Sequence, residues 1–344
     1  FDAGDFEGAA AAFQSALDED FEDYQAARGL AVSLHSLGRI DEAIYHYYVA
    51  LSAQPEDPDM TVNLGIAQAE QGDLSEAEET LSRAIRMVPD DETALLGLAR
   101  IAYDTSDFER AAELCERVGV FNPADTESLV LLAYARRGLE QTEEAAAAAE
   151  KALDLDPALP YANLLLAELA EDDDEVEAAL GLAGLALDEF ERQGDKEGQV
   201  AALWQIGWSY YLQGEHEEAS AANARALELD PDLAPVLFNE GLSRLTAGDE
   251  DGARRAYERA LEHTSLFDLQ YHGIDDLRAV LDRDPLPGGA EILTKLEGRE
   301  QALEEAKGAA RESGNAYAEL MALCCLGGLQ GARGRLHQAA ELFR

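Results

Sequence analysis

The residues best suited to recognition chemistry are three aromatic side chains on one predicted helix. Trp204, Trp208 and Tyr211 stand at positions i, i+4 and i+7, which places them on one stripe of a helix. The stripe holds both tryptophans of the chain, and Phe238 has the position of Trp204 in the next repeat of the sequence. Large aromatic side chains often anchor protein interfaces, because they bury much area at a low entropy cost. The stripe therefore predicts either an interaction hot spot or core packing against a neighbouring segment.

Signals for catalysis or cofactor binding are weak. The cysteines Cys115, Cys324 and Cys325 include no pair at metal-binding separation, and the six histidines are scattered. The sequence has neither a phosphate-binding glycine loop nor a zinc-protease motif. The acidic run at residues 171–175 lacks the glycine of a calcium loop and is predicted to be a solvated turn. We expect no catalytic residue, no metal and no cofactor.

The charge of the chain restricts its partners. Among 344 residues, 71 are acidic and 26 basic, which gives a net charge of −45. Nucleic acid is an unsuitable partner, because its phosphates are bound by Lys and Arg, whereas an acidic surface could attract a basic protein. The acidic residues are spread along the whole chain and Lys is scarce, which resembles proteins of extreme halophiles. No apolar run is long enough to cross a bilayer, so we expect no membrane span and a cytoplasmic location.

The elements that position the aromatic stripe repeat with a constant period. Equally spaced prolines stand at Pro55, Pro89, Pro123 and Pro157. Twelve residues before each proline is an alanine, in the series Ala43, Ala77, Ala111 and Ala145. Twelve residues before each alanine is another small residue, in the series Ala31, Gly65, Ala99 and Ala133. Phased positions at one period indicate a repeat protein.

Each unit is predicted to contain two antiparallel amphipathic helices with a glycine turn between them. The small residues allow the two helices to approach closely, and larger residues such as Tyr47, Leu81 and Tyr257 then fill the neighbouring grooves. The pattern resembles the tetratricopeptide repeat family. The resemblance implies an all-α fold, a right-handed superhelical solenoid of helix pairs.

The repeat register predicts how the chain is organised. We expect an array over residues 1–263, with a half repeat at 1–23 and repeats starting near residues 24, 58, 92, 126, 160, 200 and 234. The step from Ala179 to Ala219 is longer than the regular step, which predicts longer helices between them. An irregular insert or hinge is expected at 264–298, followed by further helices at 299–344 that include Gly327 and Ala339. Because the register begins and ends within a unit, we expect a piece of a longer protein.

The resemblance also implies a function, since tetratricopeptide domains typically bind a peptide or helix in a concave groove lined by the first helix of each pair. Counting from the anchor alanines, the candidate partner-binding residues are Tyr134, Tyr161, Leu164, Trp204, Trp208, Tyr211, Phe238 and Asn239. Three occupants of the aromatic part of this groove stay open: a partner, the insert or another segment of the same protein, and a second copy.

The leading hypothesis is a protein-interaction scaffold without enzymatic activity. The alternatives are a self-assembling structural module and a regulatory arm of a larger protein. The partner would be a protein or peptide, and self-association is the main competing mode of binding.

The halophile-like composition predicts a dependence on salt. We expect helicity, measured by circular dichroism, to fall when KCl is lowered from molar to millimolar concentration. The Debye length is about 3 Å at 1 M salt and grows on dilution, so the carboxylates then repel one another over longer distances. Unchanged melting across this range would contradict the inference.

Overall fold

The structure, a computed structural model, describes residues 5–172 and 175–312. All regular secondary structure in these ranges is helical. The chain forms two compact units, Phe1–Gln141 and Thr142–Arg344, which we call unit 1 and unit 2. Within each unit, helices that are consecutive in the sequence pack against each other. The predicted all-α fold is confirmed.

The helices of the repeat region are divided between the two units. Unit 1 contains α1 (Phe6–Glu19), α2 (Tyr24–Ser36), α3 (Ile40–Ala53), α4 (Pro58–Gln71), α5 (Leu74–Met87), α6 (Glu92–Asp104), α7 (Phe108–Phe121) and α8 (Thr126–Gly138). Unit 2 begins with α9 (Thr142–Leu155), α10 (Pro160–Asp172), α11 (Val176–Gln193), α12 (Lys196–Gln213), α13 (His216–Leu229), α14 (Ala234–Thr246) and α15 (Glu250–His263). The longer helices predicted near residues 179–219 are confirmed, because α11 and α12 have 18 residues each.

Aspartate caps start four helices of unit 1, namely α2, α4, α6 and α8. Asp23, Asp57, Asp91 and Asp125 each accept a hydrogen bond from a backbone N–H in the first turn of the helix that follows. Such caps satisfy amides that have no partner within the helix. The caps recur with the period of the repeat, so the repeat encodes helix starts as well as helix contacts.

Close approach between the helices of a pair depends on small side chains. The anchor alanines Ala43, Ala77, Ala111 and Ala145 are fully buried. The expected larger partners Tyr47, Leu81 and Tyr257 are buried as well. On α14, a Cβ atom at Gly241 would lie 2.7 Å from the ring of Tyr257, so no larger residue fits there.

After α15 the chain leaves the repeat register. Three short helical elements follow directly on one another: α16 (Leu266–Asp268), a π-helical segment (Leu269–Asp275) and α17 (Asp276–Arg283). We call residues 266–283 the strap. The last described helix is α18 (Gly289–Glu312), so the boundary expected at residue 298 lies inside a continuous helix. The expected last unit, with Gly327 and Ala339, lies outside the described residues, as do Cys324 and Cys325.

A pair of glycine substitutions tests the close approach in unit 2. We expect Gly241→Ala to destabilise the protein by about 1–3 kcal/mol, because the new methyl group meets the buried ring of Tyr257. The matched control is Gly181→Ala in α11, where a Cβ atom has open space. That change should stabilise by about 0.5–1 kcal/mol through helix propensity. Urea denaturation measures both, and a stabilising Gly241→Ala would contradict the packing.

Candidate functional site

The eight residues expected to bind a partner are divided between the two units. Tyr134 lies on α8 of unit 1, where it is half-buried and its ring meets that of Tyr103 edge-on at 6.2 Å. The other seven lie in unit 2, on the first helices of successive pairs, namely Tyr161 and Leu164 on α10, Trp204, Trp208 and Tyr211 on α12, and Phe238 and Asn239 on α14. The structure therefore brings seven of the eight into one compact unit.

The strap packs against the aromatic stripe of α12. Trp208 and Tyr211 stack with their ring centroids 5.2 Å apart, and both rings are half-buried. They pack against an apolar cluster that includes Leu269 and Leu277 of the strap. Of the occupants that the sequence leaves open for this face, the structure shows the chain's own insert.

Three expected groove residues have a different place in the structure. Phe238 is fully buried, because the strap crosses α14 so closely that a Cβ atom at Gly273 would lie 3.0 Å from its ring. Leu164 and Asn239 are also buried in the interior of unit 2. These three side chains are therefore covered and do not line an open groove.

An open aromatic surface remains at the edge of the strap. Phe267 and Tyr271 stack with centroids 4.9 Å apart and are 62% and 60% exposed. His272 lies beside both rings and meets the half-buried ring of Trp204 edge-on at 5.3 Å. We call Trp204, Phe267, Tyr271 and His272 the aromatic surface. On α10, Tyr161 is also exposed, and its hydroxyl donates a hydrogen bond to Asp195 over 3.1 Å.

The sequence analysis missed Phe267 and Tyr271. They stand at positions i and i+4, which would have placed them on one helical face, but they fall in the segment that has no repeat register. Without a register, the sequence offers no anchor from which to assign their direction.

Two half-buried ionisable groups lie where the strap meets the repeat helices. Burial lowers the pKa of His272, and the nearby carboxylate of Asp268 opposes this effect only in part. Burial raises the pKa of Asp276 to about 6, and the adjacent charge of Asp275 adds to the increase. The carboxyl group of Asp276 interacts electrostatically with the phenols of Tyr211 on α12 and Tyr257 on α15.

The thiol of Cys115 is structural. It is buried within α7, as its packing phase predicts, and burial raises its pKa to about 12. A thiol that stays protonated at neutral pH is a poor nucleophile and a poor metal ligand. Among the described residues, no group of three His, Cys, Asp or Glu side chains is arranged to hold a metal ion.

Comparison with known proteins identifies the family. Two family models described as tetratricopeptide repeat match the chain, one at residues 1–58 and 62–125 and the other at 126–159 and 200–233. Together these matches cover more than half of the sequence. The chain therefore belongs to the tetratricopeptide repeat family, whose fold is typically non-catalytic. No curated protein sequence matches the chain significantly.

Two solved structures share the fold over most of this chain. A chain of the APC/C hetero-tetramer Cut9-Hcn1 is 16% identical with a TM-score of 0.63, over 85% of this chain and 52% of that one. A tetratricopeptide repeat protein from Parabacteroides merdae is 17% identical with a TM-score of 0.57, over 80% and 98%. A shorter match is MamA from Desulfovibrio magneticus, which is 24% identical with a TM-score of 0.45, over 50% and 97%.

No helix in the described part of the chain is both long and apolar enough to span a membrane.

The raised pKa of the half-buried Asp276 carboxyl group predicts that stability depends on pH. The folded protein holds the pKa of Asp276 above its ordinary value of 3.8, at about 6, so stability is lost as the pH rises through 6 and the carboxyl ionises. We expect Asp276→Asn to raise the Tm at pH 8, and to raise it less at pH 5. Calorimetry at both pH values measures the difference.

The control is Asp282→Asn, which removes the same charge from an exposed site on α17. It corrects for the general relief of repulsion in a chain of net charge −45. An equal gain for both variants at both pH values would show that Asp276 is solvated.

Proposed function

We propose that the protein is a non-catalytic interaction scaffold that binds a segment of a partner protein at the aromatic surface of unit 2. The observation that carries this proposal is the stacked and exposed pair Phe267 and Tyr271. The family adds support, since tetratricopeptide repeats are interaction modules. Trp204, one of the residues selected from the sequence, belongs to this surface on α12 through its contact with His272.

The pair is a suitable anchor because it is already ordered. Both rings project from a helical segment whose other face is buried through Leu269 and Ile274. A partner that covers them removes a large apolar area from water and freezes few additional torsions, which is the condition under which aromatic residues become hot spots. Exposed aromatic rings contribute little to the stability of the core, and neighbouring exposed apolar side chains often mark an interaction site.

The experiment is an affinity pull-down from lysate of the source organism in molar KCl, followed by titration of the recovered partner. The test variant is Phe267→Ala combined with Tyr271→Ala. The matched control is Phe21→Ala combined with Tyr45→Ala, a second Phe and Tyr pair, which is 76% and 64% exposed in unit 1. We expect the test variant to weaken binding at least about 100-fold, as loss of two hot spots would, and the control to bind normally.

Equal binding by both double variants would place the interaction elsewhere. Self-association is the second candidate, because an exposed aromatic pair can also pair with a second copy. Light scattering at several protein concentrations separates the two. A mass that rises with concentration in the wild type and not in the Phe267 and Tyr271 variant would favour self-assembly.

A further inference from the structure

A cleft of about 320 Å³ lies between α13, α14 and α15 of unit 2. Small residues leave space for it, since it is lined by Ala224 on α13 and by Gly252 and Ala256 on α15. Leu227 and Leu237 add apolar surface to the lining. A volume of this size falls within the range of sites for small organic molecules. The cleft shares no residue with the aromatic surface.

Three guanidinium groups line this cleft, from Arg244 on α14 and from Arg255 and Arg259 on successive turns of α15. We call it the arginine cleft. Two carboxylates, those of Glu228 and Glu240, also line it, so its lining has an excess of one positive charge. The chain as a whole has a net charge of −45. The arginine cleft therefore reverses the sign of charge that the rest of the sequence leads one to expect.

A fixed ion pair forms part of the lining. Glu240 is only 4% exposed, and its Oε1 accepts a hydrogen bond from Arg244 Nε at 2.5 Å. Its Oε2 accepts a hydrogen bond from Ser220 Oγ at 2.7 Å. Both oxygens of this buried carboxylate are thus satisfied, and its charge is compensated where it lies. On the other side, Arg244 Nη1 lies 3.4 Å from the carboxylate of Asp249, so the guanidinium is held from two directions.

Hydrogen-bond donors remain for a ligand. Within the described part of the chain, Nη2 of Arg244 makes no hydrogen bond. Arg255 is exposed and has neither an ion pair nor a hydrogen bond with any described residue. Arg259 is engaged with Asp232, with Nη2 and Oδ1 3.2 Å apart. Because guanidinium groups bind oxyanions through paired N–H donors, Arg244 and Arg255 are the two groups suited to hold one.

We propose that the arginine cleft binds a small organic molecule with one carboxylate group on an apolar body. The carboxylate lies between Arg244 and Arg255, and the apolar body lies on Leu227, Leu237 and Ala256. The excess of one positive charge matches a monoanion, whereas a phosphate monoester brings close to two negative charges at neutral pH. This inference goes beyond the proposed function, because it gives the scaffold a small-molecule ligand at a separate surface.

The probe is octanoate, a carboxylate on a short alkyl chain, titrated into the isotope-labelled whole chain in molar KCl. The backbone amide signals of Gly252 and Ala256 report binding at the cleft. Two matched probes have the same alkyl chain, namely octanol with a neutral head group and octyl phosphate with a more highly charged one. We expect octanoate to shift both amide signals in a saturable manner and to bind at least about 10-fold more tightly than either matched probe.

Variants of the lining test the role of charge. Arg255→Gln should weaken octanoate binding at least about 10-fold, and Glu228→Gln should tighten it by removing an opposing carboxylate. The matched control is Arg86→Gln, which removes the same charge from an exposed site on α5 of unit 1 and should leave the Kd unchanged. Ala224→Leu fills the cleft from an exposed position without changing the charge, and it should weaken binding. Circular dichroism checks that each variant is folded.

Several results would overturn the proposal. One is the absence of shifts at Gly252 and Ala256 with millimolar octanoate, and another is equal affinity in the wild type and Arg255→Gln. Octanol that binds as tightly as octanoate would show a merely apolar cleft, and tighter binding of octyl phosphate would contradict the assignment of a carboxylate. The double variant of Phe267 and Tyr271 should bind octanoate as the wild type does, so this inference and the proposed function can fail separately.

Discussion

Helix packing in this protein depends on a steric constraint, because two antiparallel helices approach closely only where one of them presents a small side chain. Gly65 of α4 lies under Leu81 of α5, and a Cβ atom there would be 2.6 Å from Leu81 Cγ. Gly241 and Tyr257 repeat the arrangement in unit 2. The constant period of the repeat follows from this constraint, since each pair needs the same small and large partners at the same phase.

Where the constraint stops repeating, the chain changes from a stack of pairs to a strap. The last regular pair, α14 and α15, leaves an apolar face, and no further helix pair in register follows within the described residues. The strap buries Leu269, Ile274 and Leu277 against that face. The strap closes this core together with Ile292, Leu296 and Leu303 of α18. On its outer side the strap exposes Phe267 and Tyr271 to solvent. The core and the aromatic surface of unit 2 therefore both include residues of the strap.

The sequence predicts the fold well because its signals are local and periodic. The phased small residues locate the helix pairs, and the wider spacing between Ala179 and Ala219 locates the longer helices. The candidate site is harder to predict from the sequence. Phe238 is covered through a tertiary contact with Gly273 of the strap, and the spacing of residues along the chain does not encode such a contact. The helical phase groups Trp204, Trp208 and Tyr211 on one side of α12, whereas the choice between partner and strap depends on tertiary packing. Phe267 and Tyr271 have no periodic context at all.

The central claim is that the strap lies on the aromatic stripe of α12. Because Trp204 and Trp208 are the only tryptophans in the chain, isotope-labelled tryptophan gives two indole signals that can be assigned with one Trp208→Phe variant. The most direct measurement is a nuclear Overhauser contact between the indole of Trp204 and the imidazole of His272, whose centroids are 5.3 Å apart. We expect a cross-peak in the wild type that is lost in His272→Ala. A wild-type spectrum without this cross-peak, with α12 folded, would contradict the account.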